Sequence, residues 1–145
     1  MVNKQKLICV VGTNASGKSG LGVKLAKKFG GEIISADSRQ VFKGLDLGSG
    51  KITPAEMDGV PHHLLDVREP NEFFSMADFQ KMSYQAIDEI RERGKLPMIV
   101  GGTGLYVDSV LDGYLLSDKD VQQWDCWVIW QFYFQFFKES PHCSP

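Results

Sequence analysis

Apolar residues fall along this chain in two alternating patterns, short unbroken runs and stripes at helical spacing. Leu7-Ile8-Cys9-Val10-Val11 is an unbroken run, as expected of a strand buried on both faces. Leu21, Leu25, Ala26 and Phe29 then recur at helical spacing, and Gly30-Gly31 supplies a stop. A second run, Glu32-Ile33-Ile34-Ser35-Ala36, ends in Asp37-Ser38-Arg39-Gln40, so the chain opens as a β-α-β unit with parallel strands. Gly44, Gly48, Gly50, Pro54, Gly59 and Pro61 break residues 41–61 into a loop-rich excursion, with one short helix near Pro54–Met57. His63-Leu64-Leu65-Asp66-Val67 reads as a third, short strand.

Ser75 and Asp78 have the spacing of a capping box, and Phe79, Met82, Ala86, Ile87 and Ile90 continue as a helical stripe closed by Gly94. Leu96-Pro97-Met98-Ile99-Val100 is a further buried strand that delivers Gly101-Gly102-Thr103-Gly104, and residues 105–111 look helical. This alternation predicts an α/β fold, a three-layer sandwich around a mostly parallel sheet. The glycine loop at 12–19 makes it P-loop NTPase-like, and the resemblance given below implies that the sheet is incomplete. The character changes after Ser117. Residues 124–137 hold eight of the sixteen aromatics without clean helical or strand periodicity. Residues 1–117 are therefore read as the folded core. Residues 118–145 are read as an aromatic-rich tail, non-native or disordered, as after a frameshift.

Composition adds less. The chain has 145 residues, 43% hydrophobic and 23% charged, with net charge −2, which suits one globular domain with a real core. Residues 1–60 carry nine Lys/Arg against five Asp/Glu, and residues 61–120 carry six against eleven. A positive N-terminal portion suits a polyanionic ligand. Cys9, Cys126 and Cys143 lack metal spacing and read as reduced thiols, and no charged-then-apolar leader precedes the first strand. The apolar run at 128–137 is far short of the ~20 residues of a membrane helix. A cytoplasmic monomer with no membrane partner is expected.

The candidate chemistry begins after the first strand. Gly12-Thr13-Asn14-Ala15-Ser16-Gly17-Lys18-Ser19 fits G-x-x-x-x-G-K-[ST] between a strand and a helix, the context a phosphate loop requires. Backbone N–H groups, the helix dipole and Lys18 together make an anion site, and Ser19 is placed to hold a Mg²⁺ that bridges phosphate oxygens. A hydrolytic P-loop enzyme usually adds an acid at a strand end, but the strand at 96–100 leads into Gly-Gly-Thr-Gly. Asp37 is the acid a strand end delivers near the loop. Lys18, Asp37 and Thr103 all follow the carboxyl ends of strands, where ligands bind in doubly wound sheets, and are expected to meet in one crevice. Capping remains an alternative role for Asp37, and local backbone bonding one for Thr103. His62 and His63 point to opposite faces of an extended segment, so a structural or substrate-edge role is preferred to metal binding.

Four further blocks carry a resemblance. They are residues 33–48 (Ile-Ile-Ser-Ala-Asp-Ser-Arg-Gln-Val-Phe-Lys-Gly-Leu-Asp-Leu-Gly), Gly59 to Asp66, Phe74 to Phe79, and Val100 to Tyr106. With the P-loop they resemble tRNA dimethylallyltransferases over about residues 7–117. The resemblance implies transfer of a prenyl group from dimethylallyl diphosphate to N6 of an adenine beside the anticodon. It implies that Asp37 is the general base, that Thr103 hydrogen-bonds the bridging oxygen, and that residues 12–19 grip the diphosphate with Mg²⁺. It also implies that Asp37, Ser38, Arg39, Gln40 and Thr103 meet the tRNA anticodon stem-loop, whose target base must flip out. The family's second half is not visible here, so the chain is expected to be an N-terminal half cut near residue 118 and not to turn over as written. Two alternatives share the start of the fold, an adenylate isopentenyltransferase using free AMP, ADP or ATP and a small-molecule P-loop kinase.

Overall fold

A computed structural model describes residues 5–13, 16–112 and 124–130. Strand β1 (Gln5–Val11) leads through the glycine loop into helix α1 (Lys18–Phe29), and β2 (Gly31–Ser35) follows. The excursion carries two one-turn helices, α2 (Asp46–Ser49) and α3 (Pro54–Met57), before the two-residue strand β3 (His62–His63). Helix α4 (Met76–Glu92), β4 (Leu96–Gly101), α5 (Gly104–Asp112) and β5 (Trp124–Trp130) complete the described order. All strand pairings are parallel, in the order β3-β2-β4-β1-β5. The α/β fold and parallel sheet expected from the alternation are therefore present.

Each face of the sheet buries its own core, as the three-layer reading requires. On one face α1 lays Val23 and Ala26 over Val10, Ile33, Met98 and Val100, with Ile52 and Val60 of the excursion filling the flank. Gly22 allows this approach, because a Cβ there would meet Val100 Cγ2 at 2.8 Å. On the other face α4 and α5 bury Phe79, Ile87, Ile90 and Val110 against Leu7, Cys9, Ile34 and Ile99. Each large side chain so buried contributes about 1.5–3 kcal/mol. The α4 capping box forms as its spacing predicts, with Ser75 Oγ accepting from the Asp78 amide at 3.1 Å and Asp78 Oδ2 accepting from the Ser75 amide at 2.8 Å.

Three features differ from the sequence pattern. The expected strand at 63–67 shortens to His62–His63, because Leu64 (φ 62°) and Asp66 (φ 54°) turn left-handed and cannot continue a ladder. Helix α2 is an added turn. The pattern assigns no element beyond residue 117, yet Trp124–Trp130 runs parallel to β1 in continuous register from Gln5↔Trp124 to Val11↔Trp130. The remainder of the expected tail, residues 113–123 and 131–145, lies outside the described residues.

Candidate active site

Strand order decides what meets what. β1 and β2 are not neighbours; β4 lies between them and pairs with both, through Val10↔Val100 and Ser35↔Val100. The segments leaving the carboxyl ends of β1, β4 and β2 are the glycine loop, Thr103 and Asp37. Strands spaced about 4.8 Å apart set the first and last of these roughly 10 Å apart, with Thr103 between.

The described part of the loop gathers hydrogen-bond donors. Gly17 caps α1 at φ 79°, a left-handed conformation that favours glycine, and makes no side-chain cap. The first helical bond runs from the Leu21 amide to the Gly17 carbonyl at 3.0 Å, which leaves the amides of Lys18, Ser19 and Gly20 outside the helical ladder. Lys18 is buried, and its Nζ donates to the Thr13 carbonyl at 3.0 Å; its two other N–H bonds have no partner among the described residues. Ser16 Oγ is shielded from solvent and has no partner among the described residues. A phosphate oxygen accepting its proton would relieve that cost. Asn14 and Ala15 lie outside the described residues, whereas Gly12 and Thr13 lead directly from β1.

Thr103 and Asp37 are locked together by backbone. Gly101 is pressed so close to β2 that an added Cβ would stand 2.1 Å from the Ala36 carbonyl oxygen. The Ala36 amide donates to the Val100 carbonyl at 2.9 Å, and the Thr103 amide donates to the Ala36 carbonyl at 3.1 Å. Thr103 Oγ1 then accepts from the Ser38 amide at 3.1 Å, keeping its own proton free to donate. Asp37 Oδ1 accepts from the Arg39 amide at 2.9 Å, an Asx turn, while Oδ2 has no partner among the described residues. Neither bond is the one foreseen: Asp37 closes an Asx turn and caps no described helix, and Thr103 Oγ1 accepts from an amide 65 positions away and not from its own turn.

Gln40 does something different from its neighbours. Its Oε1 accepts from Ser35 Oγ at 3.2 Å and its Nε2 donates to the Gly50 carbonyl at 3.3 Å, so it ties β2 to the excursion. Ser38 and Arg39 are exposed beside it. Tyr106, one turn into α5, was not singled out by the pattern. It stacks on Phe79 with ring centroids 4.3 Å apart, and burial pushes its phenol pKa up, with Asp37 and Asp78 adding to the rise. Its helical spacing from Thr103 was the available signal.

A cleft of about 260 Å³ opens between α1 and the excursion, bordered by Ser19, Gly20, Gly50, Ile52 and Glu56. The Ser19 hydroxyl is a hard oxygen donor of the kind Mg²⁺ takes, whereas Glu56 Oε2 is engaged in the α3 capping box, accepting from the Thr53 amide and hydroxyl at 2.8 Å each. Ser19 therefore fits that ion. Of the two histidines, His62 Nδ1 lies 2.8 Å from the Val60 carbonyl, and His63 Nε2 lies 2.7 Å from Glu32 Oε2. Glu32 is buried and also accepts from Arg93 Nε at 3.0 Å and Nη2 at 2.6 Å. This cluster joins β2, β3 and the end of α4, at the opposite end of β2 from Asp37.

A family model described as IPP transferase matches residues 40–127. The chain belongs to the IPP transferase family. The match reaches into β5, past residue 117. Among IPP transferase relatives, the tRNA dimethylallyltransferase of Halalkalibacterium halodurans is 55% identical over 115 residues, 79% of this chain and 37% of the relative. That of Carboxydothermus hydrogenoformans is 57% identical over 114 residues, 79% and 37%. The full-length tRNA isopentenylpyrophosphate transferase structure from Bacillus halodurans superposes with TM-score 0.76 at 55% identity, over 79% of this chain and 38% of that one. A eukaryotic dimethylallyltransferase acting on tRNA gives TM-score 0.74 at 35% identity, over 81% and 29%. The chain spans a little over a third of the length of the curated relatives it matches. No helix among the described residues is long and apolar enough to cross a membrane.

Proposed function

We propose that this chain carries the diphosphate-gripping and base-activating part of a tRNA dimethylallyltransferase. The observation that supports the reading is the strand order, in which the segments carrying Lys18, Thr103 and Asp37 leave the same ends of the adjacent parallel strands β1, β4 and β2. The exocyclic amine of adenine is a poor nucleophile, since its lone pair is delocalised into the ring. Asp37 would take a proton from N6 through its free Oδ2 as the nitrogen attacks the allylic carbon. The carbon–oxygen bond to diphosphate breaks, and negative charge grows on the leaving oxygens. Residues 12–19, through loop amides and the Lys18 ammonium, would stabilise that charge in place, and Thr103 would donate its hydroxyl proton to the bridging oxygen. Mg²⁺, held through Ser19, supplies further charge neutralisation when bound.

The same reading explains why β4 ends in Gly-Gly-Thr-Gly without an acid, because no water needs to be positioned for phosphoryl hydrolysis. Asp37, Ser38, Arg39 and Thr103 would face the anticodon stem-loop, with Gln40 bracing that segment. A cytoplasmic monomer is part of this reading and is compatible with a tRNA substrate. Residues 1–117 act as the prenyltransferase core in this reading, and residues 118–145 lie outside its catalytic parts. A chimera in which this chain replaces the matching segment of the Halalkalibacterium relative, given labelled dimethylallyl diphosphate and tRNA, tests the reading. Label should enter the RNA. A folded chimera that binds Mg²⁺ and diphosphate yet transfers nothing to tRNA would refute it, and label in free AMP would redirect it to a nucleotide acceptor.

A further inference from the structure

Lys51 is the buried cation that the chemistry above does not use. Its side chain is only 7% exposed, yet its ammonium meets three oxygens. It donates to the Phe42 carbonyl at 3.0 Å and to Asp46 Oδ1 at 2.7 Å, and it pairs with Asp66. Burial pulls its pKa down, but the hydrogen bonds and charges of Asp46 and Asp66 outweigh that pull, and the net shift is upward. The ammonium is therefore held charged and saturated with acceptors, as a fixed node in the fold.

What the node joins is the telling part. Phe42 and Asp46 lie at the beginning of the excursion, and Asp66 lies at its far end, in a left-handed backbone (φ 54°) that a non-glycine residue adopts at a cost. Between these ends the Asp66 amide donates to the Gln40 carbonyl at 3.2 Å, and the Val67 and Arg68 amides donate to the Val41 carbonyl at 2.8 and 3.0 Å. Gln40 in turn bonds the carbonyl of Gly50, the residue before Lys51, and reaches the β2 strand end through Ser35. One ammonium thus closes a ring of bonds around the segment that follows Asp37, and none of its bonds goes to a described residue of the glycine loop.

We propose that Lys51 is a positioning residue that fixes the acceptor-side segment, residues 38–42, for RNA, and that its effect on diphosphate, exerted only through Gly50 and Ile52 at the edge of the Ser19 cleft, is the smaller of the two. The inference rests on the proposed function for its RNA ligand. The test compares the full chain with Lys51→Met, Lys51→Arg and the milder Asp46→Asn. Two probes are titrated separately, Mg²⁺ with inorganic diphosphate, and a short RNA hairpin whose loop holds an unpaired adenosine.

Lys51→Met should bind diphosphate within twofold of wild type and bind the hairpin about tenfold more weakly, the size of one lost charge-assisted hydrogen bond. Lys51→Arg should recover most of the hairpin affinity, and Asp46→Asn should lie between. Hydrogen exchange should quicken at the amides of residues 43 and 66–68 and stay unchanged in β4. Unchanged hairpin affinity in Lys51→Met overturns the inference alone, and so does an equal loss for both probes. A wild-type chain that binds diphosphate but ignores the hairpin removes the RNA reading, and this inference with it.

Discussion

Gly101→Ala is the most direct probe of how the crevice is held. The new Cβ would start 2.1 Å from the Ala36 carbonyl oxygen, with the Ala36 carbonyl carbon at 2.4 Å, and real contacts do not fall below 3.0 Å. Both neighbours are backbone, so no rotamer change relieves the clash. The ends of β4 and β2 must part by about 0.9 Å, which would stretch the 2.9 Å bond from Ala36 to Val100 and the 3.1 Å bond from Thr103 to Ala36 to nearly 4 Å. Two ladder bonds at roughly 1 kcal/mol each, with about 1–3 kcal/mol of overpacking strain, give a loss of roughly 3–5 kcal/mol. Against a typical domain stability of about 5–15 kcal/mol, that is a large fraction.

Urea unfolding reads the loss as a midpoint lowered by about 1 M or more, since m for small proteins is about 1–3 kcal/mol per M. Gly22→Ala is the internal control. Its Cβ would meet the Val100 methyls at 2.8 and 3.2 Å and Ile33 Cδ1 at 3.5 Å, side-chain atoms and not backbone, so a smaller loss is expected, partly offset by helix propensity of up to about 1 kcal/mol. Equal midpoints for wild type and Gly101→Ala, or equal losses for the two variants, would show that strand-end crowding does not hold Thr103 against Asp37.

Three further outcomes are expected. Lys18→Ala should weaken diphosphate binding by roughly tenfold to a hundredfold in calorimetry, about 1.5–3 kcal/mol for a charged hydrogen-bond donor, with no loss in melting temperature. Asp37→Asn in the chimera should keep diphosphate affinity and lower label transfer by about 10²–10⁴-fold, the usual worth of a general base. The Arg93 hydrogen bonds hold the Glu32 carboxyl below its ordinary pKa against the opposing pull of burial, with His63 assisting. The stability Glu32 contributes is therefore present above the ordinary glutamate pKa and lost as pH falls toward the depressed native value. Glu32→Gln should flatten that acid limb of a stability–pH curve, and an unchanged limb would count against the cluster.

Much of this arrangement was legible because local rules and tertiary demands agree. The apolar run at 7–11, the stripe from Leu21 to Phe29 and the Ser75–Asp78 box each specify an element by themselves, and each element forms. The P-loop reads from spacing, since its function lies in backbone amides that glycines set. Strand order was not written in any single segment. That β4 separates β1 from β2 depends on which parallel pairings win, and this is what spaces Lys18 from Asp37. The shortening at Leu64 was hidden because an apolar run gives no sign of a left-handed turn. Lys51 was equally hidden. A lone lysine among glycines looks solvated until Asp46 and Asp66, fifteen residues from it in the farther case, fold around it. Strand β5 escaped because its run of aromatics lacks the turn signals and alternation that mark the others.

The central position of β4 has a consequence for how such a protein is made. β1 and β2 leave the ribosome early, but their shared hydrogen-bond partner arrives only with residues 96–101. At about 5–20 residues per second, the roughly 85 residues between the end of β1 and the start of β4 take several seconds to synthesise. Once β2 has been made, the nascent chain displays two apolar ribbons that still lack their shared partner. Premature termination in that window would release a sticky polypeptide that chaperones and proteases must intercept.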